Sequence, residues 1–323
     1  MSYQLEMITL DDLVPANHIY RKFKQLWDFN EVKNELEKIE QASDHKGYGI
    51  FKLFLCLLIQ FMENLSDREL EEYVQANNCA KWLCGFNLSD KTPDHAVFSR
   101  ARKRIGTNRL SKIFNILKNQ LKSQGYMSEV FTFVDASHLI AKASLWSERD
   151  KAIKKKYDKL NNEVLPKIAK DKDANFGCKG NSKFWYGFKK HVSVDMQSGM
   201  INKVAITKAS VTDSKGMKHV IPSQGAVYAD KGYCDKNAKA AAAKRNLHLA
   251  AIKKNNMKNK NKDLDRFYTK IRSPYERVFS KTSHRTRYQG IAKNQFTAFM
   301  ESIIHNMKRL VVLSDLYPPP KTA

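Results

Sequence analysis

The first part of the chain carries apolar residues at helical spacing. Val32, Leu36 and Ile39 recur every three or four positions, as on one buried face of a helix. The most apolar run, residues 50–65, is interrupted by charged and amide side chains and is shorter than the roughly 20 residues that span a bilayer. We interpret it as a buried amphipathic helix. Ser66, followed three positions later by a glutamate, predicts the capped start of another helix.

A basic helix is predicted after Thr92, where a proline in the first turn is followed by periodic apolar residues. With a shorter helix and a turn before it, this layout is typical of a helix-turn-helix whose second helix enters a DNA groove. Many helical bundles also carry a basic outer face, so groove insertion and simple phosphate contact stay open as alternatives. The candidate DNA-binding residues here are Arg100, Arg102, Lys103 and Arg104. Residues 1–128 are predicted to form an all-helical domain for DNA binding or dimerisation.

The hydrophobic pattern changes period after residue 128. Short apolar runs rich in β-branched and aromatic residues predict strands at 130–134, 187–195, 200–207, 226–229 and 248–252. The second and third of these strands flank a Gln-Ser-Gly turn and predict a hairpin. The later strands alternate with an alanine-rich helix at 236–245. This succession indicates an α/β domain with a mixed sheet and helices packed on it.

Two strongly basic stretches interrupt the sheet pattern and are predicted to be surface loops. Residues 144–183 have little apolar periodicity, and residues 253–262 are almost entirely Lys and Asn. Loops of this kind beside a sheet are suited to holding a phosphate backbone. The predicted sheet domain is therefore residues 129–313 with a basic insertion at 144–183, followed by a C-terminal tail at 314–323.

The positive charge is concentrated in the second part of the chain. The 323 residues contain 57 Lys and Arg against 33 Asp and Glu, a formal net charge of +24. Residues 1–128 contribute +2 and the rest +22. A chain this basic is typical of proteins that bind a polyanion, and the lack of a basic anchor helix favours nucleic acid over a membrane. Five scattered cysteines and the absence of a signal-peptide pattern predict a cytoplasmic protein.

Two of the predicted strands end in aspartate, and a third acid follows them. Asp135 and Asp230 come directly after apolar runs, and Glu276 lies near a helix start predicted at Pro274. Each alone has an ordinary explanation, since aspartate forms turns and glutamate favours helix starts. Converging carboxylates, however, need a counter-charge. Hard oxygen ligands favour Mg²⁺, and a pair of such ions roughly 3.5–4 Å apart activates the attacking oxygen and stabilises the leaving oxygen of a phosphodiester.

The motifs around these acids resemble those of DDE transposases of the bacterial IS5 group, within the IS4-like superfamily. In chain order the matching segments begin Val-Asp135-Ala-Ser-His, Tyr-Gly187-Phe-Lys-Lys, Thr-Asp213-Ser, Ala-Asp230-Lys-Gly-Tyr and Arg272-Ser-Pro-Tyr-Glu276. The helical part is similar as well, and the resemblance covers most of residues 10–310.

The resemblance implies an RNase H-like catalytic fold that moves an insertion sequence. It assigns Asp135, Asp230 and Glu276 as the catalytic triad and as the ligands of Mg²⁺, with two ions expected and Mn²⁺ as a substitute. The implied partner is double-stranded DNA, at the terminal inverted repeats and at the target. A homodimer is expected because two ends must be paired, and the implied location is a bacterial nucleoid in the cytoplasm.

The superfamily signature around the glutamate is Tyr-x2-Arg-x3-Glu-x6-Lys, and this chain departs from it. Arg272 fits, whereas Tyr268 is one residue too far from it and Ser283 stands where lysine is expected. Lys281, Arg285 or Arg287 could replace that cation. The candidate DNA-binding residues of the second part are Lys189, Lys253, Lys254, Arg272, Lys281 and Arg285.

Two other functions stay open from the sequence. A non-catalytic DNA-binding repressor derived from a transposase would keep the basic surface and need no metal. An RNase H-type nuclease would need the metal and cleave DNA without joining it.

Overall fold

The computed structural model describes residues 7–41, 47–141, 169–180, 183–258, 260–276, 278 and 284–316. The chain folds into two compact units. One contains residues 1–123 together with 303–323, and the other contains residues 124–302. Within the described ranges, no helix has both the length and the apolar character needed to cross a membrane. The functional domains 1–128 and 129–313, with the tail 314–323, stay a prediction, because compactness does not test what each part does.

Residues 7–41 and 47–123 of the first unit form six helices, which confirms the prediction of an all-helical N-terminal region. They are α1 (Ile19–Leu26), α2 (Asn30–Gln41), α3 (Ile50–Met62), α4 (Asp67–Ala76), α5 (Asn78–Cys84) and α6 (His95–Ser123). The apolar run forms α3, whose side chains are almost all buried. The capping box before α4 is also present. The Ser66 hydroxyl accepts from the Glu69 N–H at 3.3 Å, and the Glu69 carboxylate accepts from the Ser66 N–H at 2.7 Å.

The long helix α6 is broken at Gly106, which has a φ of 65° and a ψ of 167°. A positive φ is accessible to glycine at little cost, so the chain leaves helical geometry there and resumes it at once. This break separates the predicted basic helix from the helix after it. The start of α6 lies later than predicted, because the Asp94 side chain accepts from the N–H groups of Ala96 and Val97, at 2.8 and 3.1 Å. Pro93 therefore precedes the cap.

The described part of the second unit contains one mixed sheet of six strands. They are β1 (Phe131–Ile140), β2 (Asn175–Lys179), β3 (Lys183–Asp195), β4 (Ile201–Lys208), β5 (Ala226–Ala229) and β6 (His248–Ala251). β3 pairs antiparallel with β1, β2 and β4, and β5 pairs parallel with both β1 and β6. An antiparallel hairpin sheet extended by two parallel strands is the predicted RNase H-like arrangement.

Helices cover this sheet. They are α7 (Asp213–Val220), α8 (Lys236–Ala243), α9 (Lys262–Arg272) and the start of α10 (Ile291–Leu316). α7 and α8 bury an apolar core against β1 and β5, formed by Val134, Met217, Val220, Ile221, Val227, Ala229, Tyr233, Ala238, Ala242 and Leu247. Alanine at two successive turns of α8 lets that short helix lie close to its neighbours.

Three expectations about local structure need correction. β1 does not end before Asp135 but continues to Ile140, because its pairing with β3 extends that far. The stretch 144–183 is not only loop, since its described residues include β2 and the first residue of β3. Residues 142–168 and 181–182 lie outside the described part. Pro274 does not begin a helix. It lies in a 3₁₀ turn, Ser273–Glu276, that directly follows α9.

Candidate active site

The register of two parallel strands brings the first two predicted acids together. Val134 of β1 pairs with Ala229 of β5, and this is the last pair of that ladder. The next residue on each strand is an aspartate, Asp135 on β1 and Asp230 after β5. Residues that directly follow a registered parallel pair occupy neighbouring positions. The two acids are therefore neighbours although 95 positions separate them.

The turn after β5 fixes the Asp230 carboxylate. Its Oδ1 accepts from the Gly232 N–H at 2.5 Å and caps the 3₁₀ turn Lys231–Tyr233. A Cβ on Gly232 would lie 2.9 Å from Asp230 Oδ1 and 3.6 Å from Asp213 Oδ2. Glycine at this position leaves the space that both carboxylates border. Two acids from different elements thus flank one residue of the turn.

Asp213 is a third acid close to these two. It belongs to one of the sequence motifs, but no role was predicted for it. It lies in the first turn of α7, directly after the capping residue Thr212. Its Oδ1 accepts from Lys189 Nζ at 2.8 Å, and Lys189 is only 9% exposed on the central strand β3. The signal that could have indicated this acid is its place after a capping threonine in the connection that follows β4. Its partner lysine depends on the sheet register.

Electrostatics sets Asp135 apart from an ordinary carboxylate. Burial, together with the charges of Asp230 and Asp213, raises the pKa of Asp135 to about 7. The Ala136 N–H donates to the Asp135 carboxylate at 2.8 Å and lowers this pKa, but burial and the neighbouring charges outweigh it. Among the described residues, the fully buried Tyr233 hydroxyl has no hydrogen-bond partner, and the same three aspartates act on it electrostatically. The site concentrates negative charge in a desolvated place.

Glu276 lies in a different setting. It ends the 3₁₀ turn after α9, and its side chain is 49% exposed and contacts Arg272 Nη2 through Oε1 at 3.3 Å. Within the described ranges, no three His, Cys, Asp or Glu side chains are grouped so that they could hold a metal ion. The structure brings Asp135 and Asp230 together and pairs Glu276 with Arg272. The complete triad stays a prediction.

Two family models match the chain. The model described as "Transposase domain (DUF772)" matches residues 8–104, and the one described as "Transposase DDE domain" matches residues 128–307. The second alone covers more than half of the sequence. The chain belongs to the DDE transposase family. Its function is that of a DDE transposase, and its subgroup within the IS4-like superfamily stays a prediction.

A solved structure is also similar to this transposase. It is described as "Cryo-EM structure of piggyBac transposase synaptic complex with hairpin DNA (SNHP)". The match has 10% sequence identity, covers 92% of this chain and 76% of that chain, and has a TM-score of 0.39. A likeness of this size supports no inference about the site or the substrate.

Membership of the DDE family implies dependence on a divalent metal, and the residues present can be tested against that requirement. The groups that act on Asp135 include the carboxylates of Asp230 and Asp213. Carboxylate oxygens are the ligands that hard divalent cations prefer. The raised pKa of Asp135 and the unpartnered Tyr233 hydroxyl mark a place where, among the described residues, negative charge lacks a sufficient counter-charge. Mg²⁺ commonly binds through one or two carboxylates, with water and substrate phosphates completing its shell. Asp135 and Asp230 fit that pattern.

The four cations predicted on the basic helix have different surroundings in the transposase. Arg100 and Lys103 are exposed on α6. Arg102 instead donates to both carboxylate oxygens of Asp67, at 2.8 and 2.5 Å, and to Gln60 at 3.1 Å. Arg104 is partly buried, and its Nη2 has no hydrogen-bond partner among the described residues. Arg100 and Lys103 are therefore the members of this set that face solvent.

The cations predicted in the second unit also differ. Lys189 is bound to Asp213, and Arg272 to Glu276. Lys253 and Lys254 are partly exposed in the loop after β6, and Arg285 is exposed beside the end of β1, bridging to Ile140. Lys281 lies outside the described residues. DNA binding belongs to the family, and the contribution of each of these residues stays a prediction.

Proposed function

We propose that this transposase cleaves DNA at the ends of an insertion sequence and transfers the freed strand into target DNA, with Asp135 and Asp230 at the reacting phosphodiester. The observation that supports this most directly is the parallel pairing of Val134 with Ala229, after which both strands continue with an aspartate. The raised pKa of Asp135 adds to it, because an acid desolvated beside other acids is typical of a functional site.

The proposed metal is Mg²⁺, with two ions at the full site and Mn²⁺ as a substitute. Asp135 and Asp230 would hold it, and Glu276 would complete the set. When bound, the metal supplies an activated attacking oxygen and stabilises the charge on the leaving oxygen. The rigid strands β1 and β5 keep the two aspartates in place, which is what orientation of an in-line displacement requires.

Arg272 and Glu276 are proposed to separate when DNA binds. In the ion pair the Arg272 side chain is 17% exposed, and its Nε has no hydrogen-bond partner among the described residues. A phosphate matches the planar donor fork of arginine and competes for it. Binding of the DNA backbone by Arg272 would release Glu276 toward the aspartates.

The proposed partners are double-stranded terminal inverted repeats and target DNA. Arg100 and Lys103 present exposed charge on a helix, suited to phosphate contact. Two ends must be brought together before strand transfer, so we propose a homodimer in the complex with DNA.

The test is cleavage of end-containing DNA by the purified full chain with Mg²⁺ or Mn²⁺. We expect Asp230→Ala to lower the cleavage rate by about a thousandfold or more, because a ligand of the ion is lost. Asp263→Ala, which removes an acid with a 90% exposed side chain, serves as the matched control and should cleave normally. Equal cleavage by the wild type and Asp230→Ala would overturn the assignment. Cleavage without joining in a strand-transfer assay would favour a plain nuclease.

A further inference from the structure

A row of aromatic rings runs outward from the sheet across α9. Phe131 of β1, Tyr228 of β5, and Tyr268 and Phe267 of α9 have successive ring-centroid distances of 6.2, 5.8 and 6.1 Å. These four residues are called the aromatic strip below. Phe131 and Phe267, at its two ends, are 52% and 53% exposed. Single exposed apolar residues are ordinary, but a connected row of rings on one surface is not.

The helix that carries half of the strip is attached to the sheet without being buried. None of the 11 residues of α9 is buried, although the helix is strongly amphipathic in sequence. It is held by the Lys253 N–H, which donates to Asp265 at 3.1 Å, and by the ring contact between Tyr268 and Tyr228. The apolar side that includes Leu264 and Phe267 remains open to solvent.

The strip lies on the same side of the sheet as the two catalytic aspartates. Side chains alternate along a strand, so Phe131 and Asp135 share one face of β1, and Tyr228 lies two residues before Asp230. At about 3.3 Å per residue, Tyr228 lies roughly 7 Å along the chain from Asp230, and Phe131 lies roughly 13 Å from Asp135. The strip therefore crosses this face of the sheet near the carboxylates and continues onto α9. A nucleic-acid strand held at the aspartates would have this surface in its path.

The charge around the strip selects the kind of occupant. Residues 253–272 contain eight Lys and Arg and two Asp. A second copy of the chain docked symmetrically on this surface would bring the same positive segment against itself, which like-charge repulsion disfavours. A polyanion is complementary to it. Within a duplex the bases already stack on each other, so exposed rings beside lysines suit unpaired nucleotides.

We propose that the aromatic strip binds unpaired nucleotides of the DNA strand that is cut at Asp135 and Asp230, by stacking bases on Phe267 and Tyr268 while neighbouring lysines contact the phosphates. The inference rests on the proposed function for its link to cleavage. The binding itself requires neither metal nor chemistry. The surface would hold a frayed or melted end in place next to the reacting phosphodiester.

The test measures binding by the full chain in EDTA, so that cleavage cannot contribute. The probes are a single strand of about 12 nucleotides containing 2-aminopurine and the matching blunt duplex. We expect the wild type to change the 2-aminopurine fluorescence of the single strand. Phe267→Ala should weaken binding of that strand by between about fivefold and 100-fold, with less than about twofold change for the duplex. Phe267→Trp should retain single-strand binding.

Leu264→Ala is the matched control, because Leu264 lies on the same helix and is 43% exposed but has no ring. It should bind the single strand as the wild type does. Unchanged binding by Phe267→Ala would overturn the proposal. Equal weakening of single-strand binding by Leu264→Ala would also overturn the proposal, because it would indicate a general apolar contact. A dimer in sedimentation that both substitutions dissociate would overturn it as well, because the strip would then be an interface between two copies of the chain.

The two proposals fail separately. The effect of Phe267→Ala on single-strand binding is measured without metal, whereas the role of Asp230 is measured by metal-dependent cleavage. If Asp230→Ala binds the single strand normally in EDTA and does not cleave, both proposals are supported. If Asp230→Ala cleaves normally, the assignment of Asp230 to the active site is wrong. The binding measurement still tests the aromatic strip in that case.

Discussion

The two units of the molecule surround their carboxylates in opposite ways. In the helical unit, Glu35 is 7% exposed and lies within 2.7 Å of Lys38 and 3.7 Å of Arg109 and Lys112. The hydrogen bond from Lys38 is the main reason why its pKa is lowered. Burial acts to raise the pKa of Asp67, but the hydrogen bonds from Arg102 and Gln60 outweigh it and lower that pKa too.

The sheet unit surrounds its central carboxylate with other acids. Burial and the neighbouring charges of Asp230 and Asp213 raise the pKa of Asp135 to about 7. The charge of Lys179 lowers this pKa without outweighing these effects, and Lys189 is bound to Asp213. Similar acids thus have opposite pKa shifts in the two units of the same chain.

This difference separates structural acids from a candidate catalytic acid. A buried carboxylate with a cation supplied by the protein is neutralised, and removing that cation is destabilising because it leaves an uncompensated charge. A carboxylate crowded by other acids costs free energy in the folded state unless a cation from outside is bound. We therefore expect substitutions in the two units to differ in the sign of their effect on stability.

The largest expected difference concerns metal binding by Asp135. Mn²⁺ at about 100 times its dissociation constant should stabilise the wild type by about 2.7 kcal/mol, and Asp135→Asn should lose most of that gain. Without metal, Asp135→Asn should be at least as stable as the wild type, because a desolvated charge has been removed. Thermal unfolding without DNA, with and without Mn²⁺, measures both effects.

The control for this measurement is Asp263→Asn, since the Asp263 side chain is 90% exposed and pairs with Arg266 at 3.3 Å on the surface. It should keep the full response to Mn²⁺. A full response in Asp135→Asn as well would remove Asp135 from the metal site and cancel the contrast between the two units.

Arg102→Met should lower the stability of the fold, whereas Asp135→Asn without metal should not, and this effect is smaller than the response to Mn²⁺. The substitution leaves the half-buried Asp67 without its bidentate partner, so the free energy of unfolding should fall by about 2 kcal/mol. Urea denaturation measures the loss. Arg266→Met, which breaks an ion pair whose side chains are 81% and 90% exposed, should cost less than about 0.5 kcal/mol. Equal losses in the two variants would mean that the Arg102 pair is an ordinary surface contact.

Much of the secondary structure that surrounds the site could be predicted from local patterns. The capping box at Ser66 depends on a spacing of three residues, and it is present. The hairpin of β3 and β4 follows from two alternating runs around a short turn. The apolar runs before Asp135 and Asp230 were also recognisable, whereas the closeness of the two acids depends on the pairing of β1 with β5. The capping box and the hairpin depend on residues that are close in sequence, so they can be predicted without the tertiary structure.

The remaining features depend on contacts between distant residues. Lys189 was predicted to contact DNA, but its partner is Asp213, 24 positions away on another element. Arg102 likewise contacts Asp67, 35 positions away. β2 has few apolar residues and becomes a strand because it pairs with β3. The helix before Glu276 is amphipathic in sequence, but none of its residues is buried, so the apolar core does not mark its position.

The smallest expected effect is the pH dependence of the stability that Glu35 contributes to the helical unit. The lowered pKa of Glu35 means that its stabilisation is present above the unfolded-state pKa, about 4.3, and is lost as pH falls through the lower folded-state pKa. Glu35→Gln should therefore lower the free energy of unfolding by about 1 kcal/mol at pH 7, and this deficit should shrink toward zero below pH of about 4. Urea denaturation of both proteins across this range gives the difference. Glu37→Gln removes a 39% exposed partner of Lys33 and should show less than half the deficit. A deficit in Glu35→Gln that stays constant with pH would show that the loss comes from packing, and that the cations around Glu35 do not act by neutralising its charge.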